Sequence, residues 1–292
     1  MSAANALLEA PVEFESEASI RATAVRSRRR RRLLLRVTQL VLLVVIIGGW
    51  QLFTTKRWVD PFFYGQPSGI WHSLVHLFTK GTAFGSIWDD IGVTLREAVY
   101  GFALGAVVGV VFGLVLGQNA FLADVLSPYI KVVNAVPRII LGSIFLVAFG
   151  LGTFPKVLLA AVLVFFIVFF NAFQGVREVN PDLVANLKVL GASPVQVARH
   201  VTIPSALTWI IASLHTAFGF AIIGALVGEV LGAQRGVGLI ISQAQNSFDP
   251  NTVFACMAIM AVITLAAEYL ITLFEKRVLS WQPPSHAQTV VI

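Results

Sequence analysis

One cysteine in 292 residues, Cys256, excludes a disulfide framework, and its place inside an apolar run marks it as a small packing residue. Charge is scarce as well. Asp, Glu, Lys and Arg make up only 12% of the chain against 57% hydrophobic residues, too little polar surface to cover a water-exposed globule. The G-x-x-x-x-G-K-[ST] pattern that cradles nucleotide phosphates does not occur, so the chain has no phosphate-binding machinery of that type. His72, His76, His200, His215 and His286 lack the cysteine or acidic companions of a metal site. No Ser/His/Asp set falls at helical spacing, which removes an intramembrane hydrolase. Period-two alternation is missing too, and with it a membrane barrel.

What the sequence has is length of apolar run. A hydrocarbon core takes roughly 20 apolar residues per helix, and such runs occur at 37–53, 98–117, 132–151, 157–173, 206–231 and 252–274. The class is an all-α membrane protein with six transmembrane helices. Arg21, Arg26, Arg28 to Arg32 and Arg36 precede the first run, and Lys276 and Arg277 follow the last. The excess of Lys and Arg on cytoplasmic flanks therefore puts both termini in the cytoplasm. The same count places Lys131, Arg177, Lys188 and Arg199 inside, and Lys56, Arg57, Lys80, Lys156 and Arg235 outside, with Arg96 at the outer edge. The arginine run abuts a span and has no aromatic interleaving, so it fits topology and anionic lipid, not nucleic acid. Residues 48–55 lack an A-x-A cleavage site, so the first span stays.

Four regions follow. Residues 1–32 read as a mobile basic tail, 33–89 as the first span plus an outer interfacial helix, 90–282 as the core, and 283–292 as a second tail. The interfacial helix starts near Pro67 and Ser68 and carries Ile70, Trp71, Leu74, Val75, Leu77 and Phe78. In the second run Gly101, Gly105, Gly109, Gly113 and Gly117 leave a stripe without side chains that another helix can approach. Packing inside the bundle, a dimer seam and a sliding surface are all compatible with it. Asn134, Pro137 and Arg138 interrupt the third run. Either the span is broken there, or it starts after Arg138 and a cytoplasmic turn precedes it.

Between the fourth and fifth runs lies a polar stretch with unusually explicit punctuation. Asn180 can cap a helix that opens with Pro181 and Asp182, and Gly191 supplies the left-handed turn that stops it. Ser193, Pro194 and Gln196 form a second cap with a capping box, and that helix is expected to end before Pro204. Val195 and Ala198 share one face of it, with Gln196, Arg199 and His200 on the other. One face can pack on the bundle while the other is presented outward, as in a docking element.

This stretch resembles the cytoplasmic loop of permease subunits of binding-protein-dependent ABC importers. Their pattern is Glu-Ala-Ala, three residues, Gly, nine residues, Ile, any residue, Leu-Pro. Here Gly191 is followed after nine residues by Val201, Thr202, Ile203 and Pro204, while Ala185, Asn186 and Leu187 stand where Glu-Ala-Ala is expected. Phe149, Gly150, Gly152, Asn171, Gly175, Glu229, Gly236, Gly238 and Trp281 are similar to the nitrate, sulfonate and taurine branch, with Gly142 and Thr208 where that branch carries prolines. The likeness covers residues 90–282.

The resemblance implies a type I (MetI-like) permease core with a coupling loop at 176–205, and no catalysis in the chain itself. ATP and Mg would be bound by two partner ATPase subunits, and a binding protein would deliver a small anion at a bacterial inner membrane. A second permease, identical or different, completes the path by alternating access. Ala185, Lys188, Gly191, Ala192, Ser193, Pro194, Gln196, Arg199 and Pro204 are then the ATPase-coupling candidates. Asn134, Arg138, Asn171 and Glu229 are the pathway candidates, since polar groups inside spans mark function and guanidinium pairs with oxyanions. The rival reading, an ion-coupled secondary transporter, needs an internal repeat and a midplane ion site, and the spans show neither.

Overall fold

The computed structural model describes residues 17–278 and divides after Pro61 into two compact units. The first unit carries α1 (Glu17–Thr55), whose segment Leu33–Thr55 is long and apolar enough to cross a membrane. Residues 17–32, expected as part of a mobile tail, are helical and continuous with that segment. No glycine or proline interrupts them, and alanine and arginine are good helix formers. The rest of that tail, residues 1–16, lies outside the described residues, as do Trp281 and the tail at 283–292. One turn, α2 (Pro61–Tyr64), follows at the division.

The second unit is built from helices alone among the described residues. They are α3 (Pro67–Lys80), α4 (Ile87–Gln118), α5 (Ala120–Ala135), α6 (Arg138–Phe149), α7 (Thr153–Arg177), α8 (Pro181–Val189), α9 (Pro194–Val197), α10 (Ile203–Leu231), α11 (Val237–Asn246) and α12 (Pro250–Val278). Ala98, Val164, Val168, Ala217, Phe218, Ala221, Ile222 and Ala225 are buried together where α4, α7 and α10 meet. Small residues dominate that core because lipid offers no hydrophobic drive between helices, and close backbone approach has to supply the attraction. The amphipathic α3 does more than lie at an interface: it packs on α12, with Gly69 against the Asn251 side chain and Gln66 N donating to Asn251 Oδ1 at 2.9 Å.

The third apolar run resolves into two helices, α5 and α6, bent by 84°. Val136 adopts the extended backbone forced on a residue before proline, and α6 restarts directly after Pro137. The residues before Arg138 form a helix of their own and not a turn. Twelve residues rise only about 18 Å, so α6 cannot cross alone. Five helices qualify as spans by length and composition, or six if α5 and α6 make one broken span.

The glycine stripe of α4 lies against α7. Gly101, Gly105, Gly109 and Gly113 are buried, and an added Cβ at each would meet α7 backbone or Cβ atoms. At Gly109 the nearest would be the Phe165 carbonyl oxygen at 2.9 Å and the Phe169 nitrogen at 3.1 Å. Backbone on both sides leaves nothing that can rotate away. Gly109→Ala is expected to destabilise the bundle by about 1–3 kcal/mol through overpacking. Gly92→Ala, where a Cβ meets nothing within 4 Å, should cost nothing. Thermal unfolding midpoints of the two variants in lipid nanodiscs check the contrast.

Candidate functional site

The polar stretch folds as two short helices around a glycine turn. Asn180 Oδ1 accepts from Asp182 N at 2.8 Å, and Pro181 occupies the first position, where its missing N–H costs no hydrogen bond. At the other end of α8, Ala192 N donates to Leu187 O and Gly191 N to Lys188 O, both at 3.0 Å. These two bonds make a Schellman motif, and Gly191 at φ +81° supplies the left-handed residue it requires. Ser193 and Gln196 exchange hydrogen bonds at 3.3 and 2.7 Å to cap α9 reciprocally.

The second helix does not end before Pro204. It widens into a five-residue π-helical turn, Ala198–Thr202, with Ile203 N donating to Ala198 O, and runs on through α10 to Leu231. The wider turn just before Pro204, which has no N–H to donate, lets the helix continue past it. The faces also differ from expectation: Val197 and Thr202 are buried, whereas Val195 is 75% exposed. Val189 and Leu190, at the end of α8, are 87% and 81% exposed. Three exposed apolar side chains therefore flank the glycine turn of an otherwise polar element, with Lys188, Gln196 and Arg199 also exposed and Ala185 exposed further along α8.

The pathway candidates do not form one hydrogen-bonded group. Arg138 Nη2 donates to Asn134 Oδ1 across the α5–α6 break, and the guanidinium lies 4.8 Å over the Phe166 ring. Asn171 Nδ2 donates to Ile167 O of its own helix at 2.8 Å. Glu229 has no exposed surface at all. Its carboxylate accepts from Thr94 Oγ1 at 2.8 Å and from Gly238 N at 2.6 Å.

Glu229 belongs to a buried polar cluster that the sequence reading did not assemble. Gly236 N donates to Asp90 Oδ1 at 3.2 Å and Val237 N to Thr94 Oγ1 at 3.0 Å. Each amide at the start of α11 thus finds its acceptor on α4 or α10. A helix N-terminus has orphan donors and a partial positive charge, so two carboxylates and a hydroxyl complement it. Lys156, counted above as an outer-segment cation, is 3% exposed, with Nζ 2.9 Å from Leu151 O and 3.9 Å from Glu97 Oε1. The signal was present in the sequence. Asp90, Thr94 and Glu97 fall on the same helical face as Gly101 and Gly105 and continue the glycine stripe toward the start of α4. Glu229→Ala would leave the buried Gly238 N–H without its acceptor, whereas the Thr94 hydroxyl can still donate to Asp90 O at 3.2 Å. It should lose about 1–3 kcal/mol, with Glu229→Gln milder, as read by thermal unfolding.

Relatives of this chain carry names from one class of machine. It is 30% identical over 237 residues to the putative aliphatic sulfonates transport permease protein SsuC of Bacillus subtilis, covering 81% of this chain and 84% of that one. It is 28% identical over 233 residues to the riboflavin transport system permease protein RibX of Chloroflexus aurantiacus, covering 80% and 85%. Its fold matches a chain of a solved amino acid ABC transporter with a TM-score of 0.52 at 23% identity, over 65% of this chain and 93% of that one. Residues 105–280 match the family described as binding-protein-dependent transport system inner membrane component. With helical spans, a capped polar loop and no nucleotide-binding pattern of its own, this chain belongs to that family, the membrane-embedded, non-catalytic permease subunits of ABC importers.

Proposed function

We propose that this chain and a second permease subunit line the path of a small anion, of sulfonate, taurine or nitrate type, across a bacterial inner membrane. A binding protein delivers the anion from outside, and two ATPase subunits on the cytoplasmic side bind ATP and Mg. Nucleotide-driven closure of the ATPases pulls the α8–α9 pairs together and switches the bundle between inward and outward access.

The observation that carries this reading is the exposed apolar trio of Val189, Leu190 and Val195 on a fully capped polar element. Water does not favour such a trio and the caps mark the element as one outside lipid, so a cleft in a soluble partner is the surface that suits it. Lys188, Gln196 and Arg199 supply the polar rim expected around an apolar interface centre. Ala185 offers no carboxylate, so docking rests on the shape held by Gly191, Ala192, Ser193 and Pro194. Exposed apolar residues along α5 and α6, Tyr129, Val132, Ile139 and Val147 among them, support a second permease subunit alongside, identical or not. The arginines before the first span support cytoplasmic termini. The sulfonate name of the Bacillus subtilis relative and the guanidinium of Arg138 at the helix break support an anionic substrate.

Proline cannot adopt the positive φ of Gly191. Gly191→Pro is expected to retain the helicity of the spans but lose copurification with the ATPase subunits and binding-protein-stimulated ATP hydrolysis. Val195→Asp, which carries a charge into the proposed cleft, should weaken the association at least tenfold, a change of about 1.4 kcal/mol. Uptake that stays coupled to ATP hydrolysis in the Gly191→Pro protein would show that docking lies elsewhere.

A further inference from the structure

We propose that the cavity between α5 and α7 binds an anion that carries an apolar body. The cavity measures about 200 Å³ and lies between Ser127, Lys131 and Asn134 of α5 and Phe170, Phe173 and Arg177 of α7. The close backbone approach that glycines give α4 and α10 on α7 is not repeated between α5 and α7. Neither Lys131 nor Arg177 makes an ion pair within 4 Å among the described residues, and Asp124, the one acidic residue lining the cavity, is no exception. Two cations against one carboxylate leave the lining with a net charge of +1.

Aromatic rings of α7, Phe169, Phe170 and Phe173, form the apolar wall, with Arg177 lying 5.2 Å over the Phe173 ring. Outside the cavity, Phe166 continues that row and carries Arg138 4.8 Å over its ring. Phe166 stacks on Phe170 with centroids 6.2 Å apart, and Phe169 stacks on Phe173 at 6.0 Å. Rings accept an apolar body, while guanidinium and ammonium groups take the oxygens of a sulfonate, carboxylate or phosphate. The volume is below the roughly 300–1,000 Å³ of drug-sized sites, so a short-chain anion or a lipid headgroup fits, and a bulky ligand does not.

The place of the cavity gives the site a consequence. Leu116 and Arg177 line it, and the adjacent Gln118 and Val176 line the recess beneath α8, so an occupant lies beside the root of the docking pair. The same chemistry has two sources, the transported anion or an anionic lipid of the leaflet on that side. The choice of probe rests on the anion-importer reading above.

The test uses the full chain in nanodiscs. In phosphatidylcholine discs, retention of radiolabelled hexanesulfonate is measured by equilibrium dialysis. In discs doped with phosphatidylglycerol, retention of that lipid is measured by native mass spectrometry. At least one anion should bind the wild type, at least tenfold more weakly in Lys131→Gln and Arg177→Gln, and more tightly in Asp124→Asn. A response to hexanesulfonate alone assigns the site to the transported anion, and a response to phosphatidylglycerol alone assigns it to lipid. Equal retention of both anions by wild type, Lys131→Gln and Arg177→Gln overturns the proposal, as does weaker retention by Asp124→Asn. Gly191→Pro leaves the cavity intact and should bind as the wild type does. Loss of the ATPase association therefore bears on the transport reading, and loss of anion retention bears on this site.

Discussion

The start of α11 depends on acceptors that lie elsewhere in the chain. Gly236, Val237 and Gly238 have no local side-chain cap, and their N–H groups point to Asp90, Thr94 and Glu229 in a region closed to water. Away from water an unmet amide costs a large part of a hydrogen bond, so this segment is stable only while α4 and α10 hold their carboxylates and hydroxyl in place. The constraint also works in reverse. Glu229 and Asp90 are tolerable in a span because they meet a positive helix end. Gly236 and Gly238 are required because any side chain there would collide with the Glu229 carboxylate.

That anchor needs helices held very close together, which explains the small residues beneath it. The stripe from Gly101 to Gly113 brings α4 onto α7, and Gly224 and Gly228 bring α10 onto Ala160 and Lys156 of the same helix. Lys156 is thereby drawn into the cluster beside Glu97. Polar cluster and small-residue packing form one device. At the far end of α10 the opposite rule holds, where capping, a glycine turn and a π-helical turn join a polar helix pair to a span without a break. The second helix of the pair and α10 are thus one continuous element, Pro194–Leu231, whose far end carries the Glu229 anchor.

Much of this was legible beforehand, for physical reasons that act over a few residues. Caps and left-handed glycines bind their own neighbours, so Asn180, Gly191, Ser193 and Gln196 announced both limits of α8 and the start of α9, but not the end of the second helix. The α8–α9 faces were read less well. Val195 and Ala198 share a face on a regular helix, but the π-helical turn and the run into α10 decide which face the bundle covers. Pro204 likewise reads as a stop signal locally, and only a change of helical pitch two residues upstream admits it. Lys156 counted only as an outer-segment cation, and Asp90, Thr94 and Glu97 share a face that the sequence shows, but their partners on α7, α10 and α11 lie more than fifty residues away in the chain.

The sequence by itself determined the all-helical membrane class, most of the spans and the capped turn between α8 and α9, since composition, run length and capping are properties of short segments. The tertiary structure decided which charges are buried, how the third run bends, and where a cavity remains between α5 and α7. Those outcomes turn on distances between helices far apart in the chain, and burial makes a polar group's worth depend on the partner it meets there.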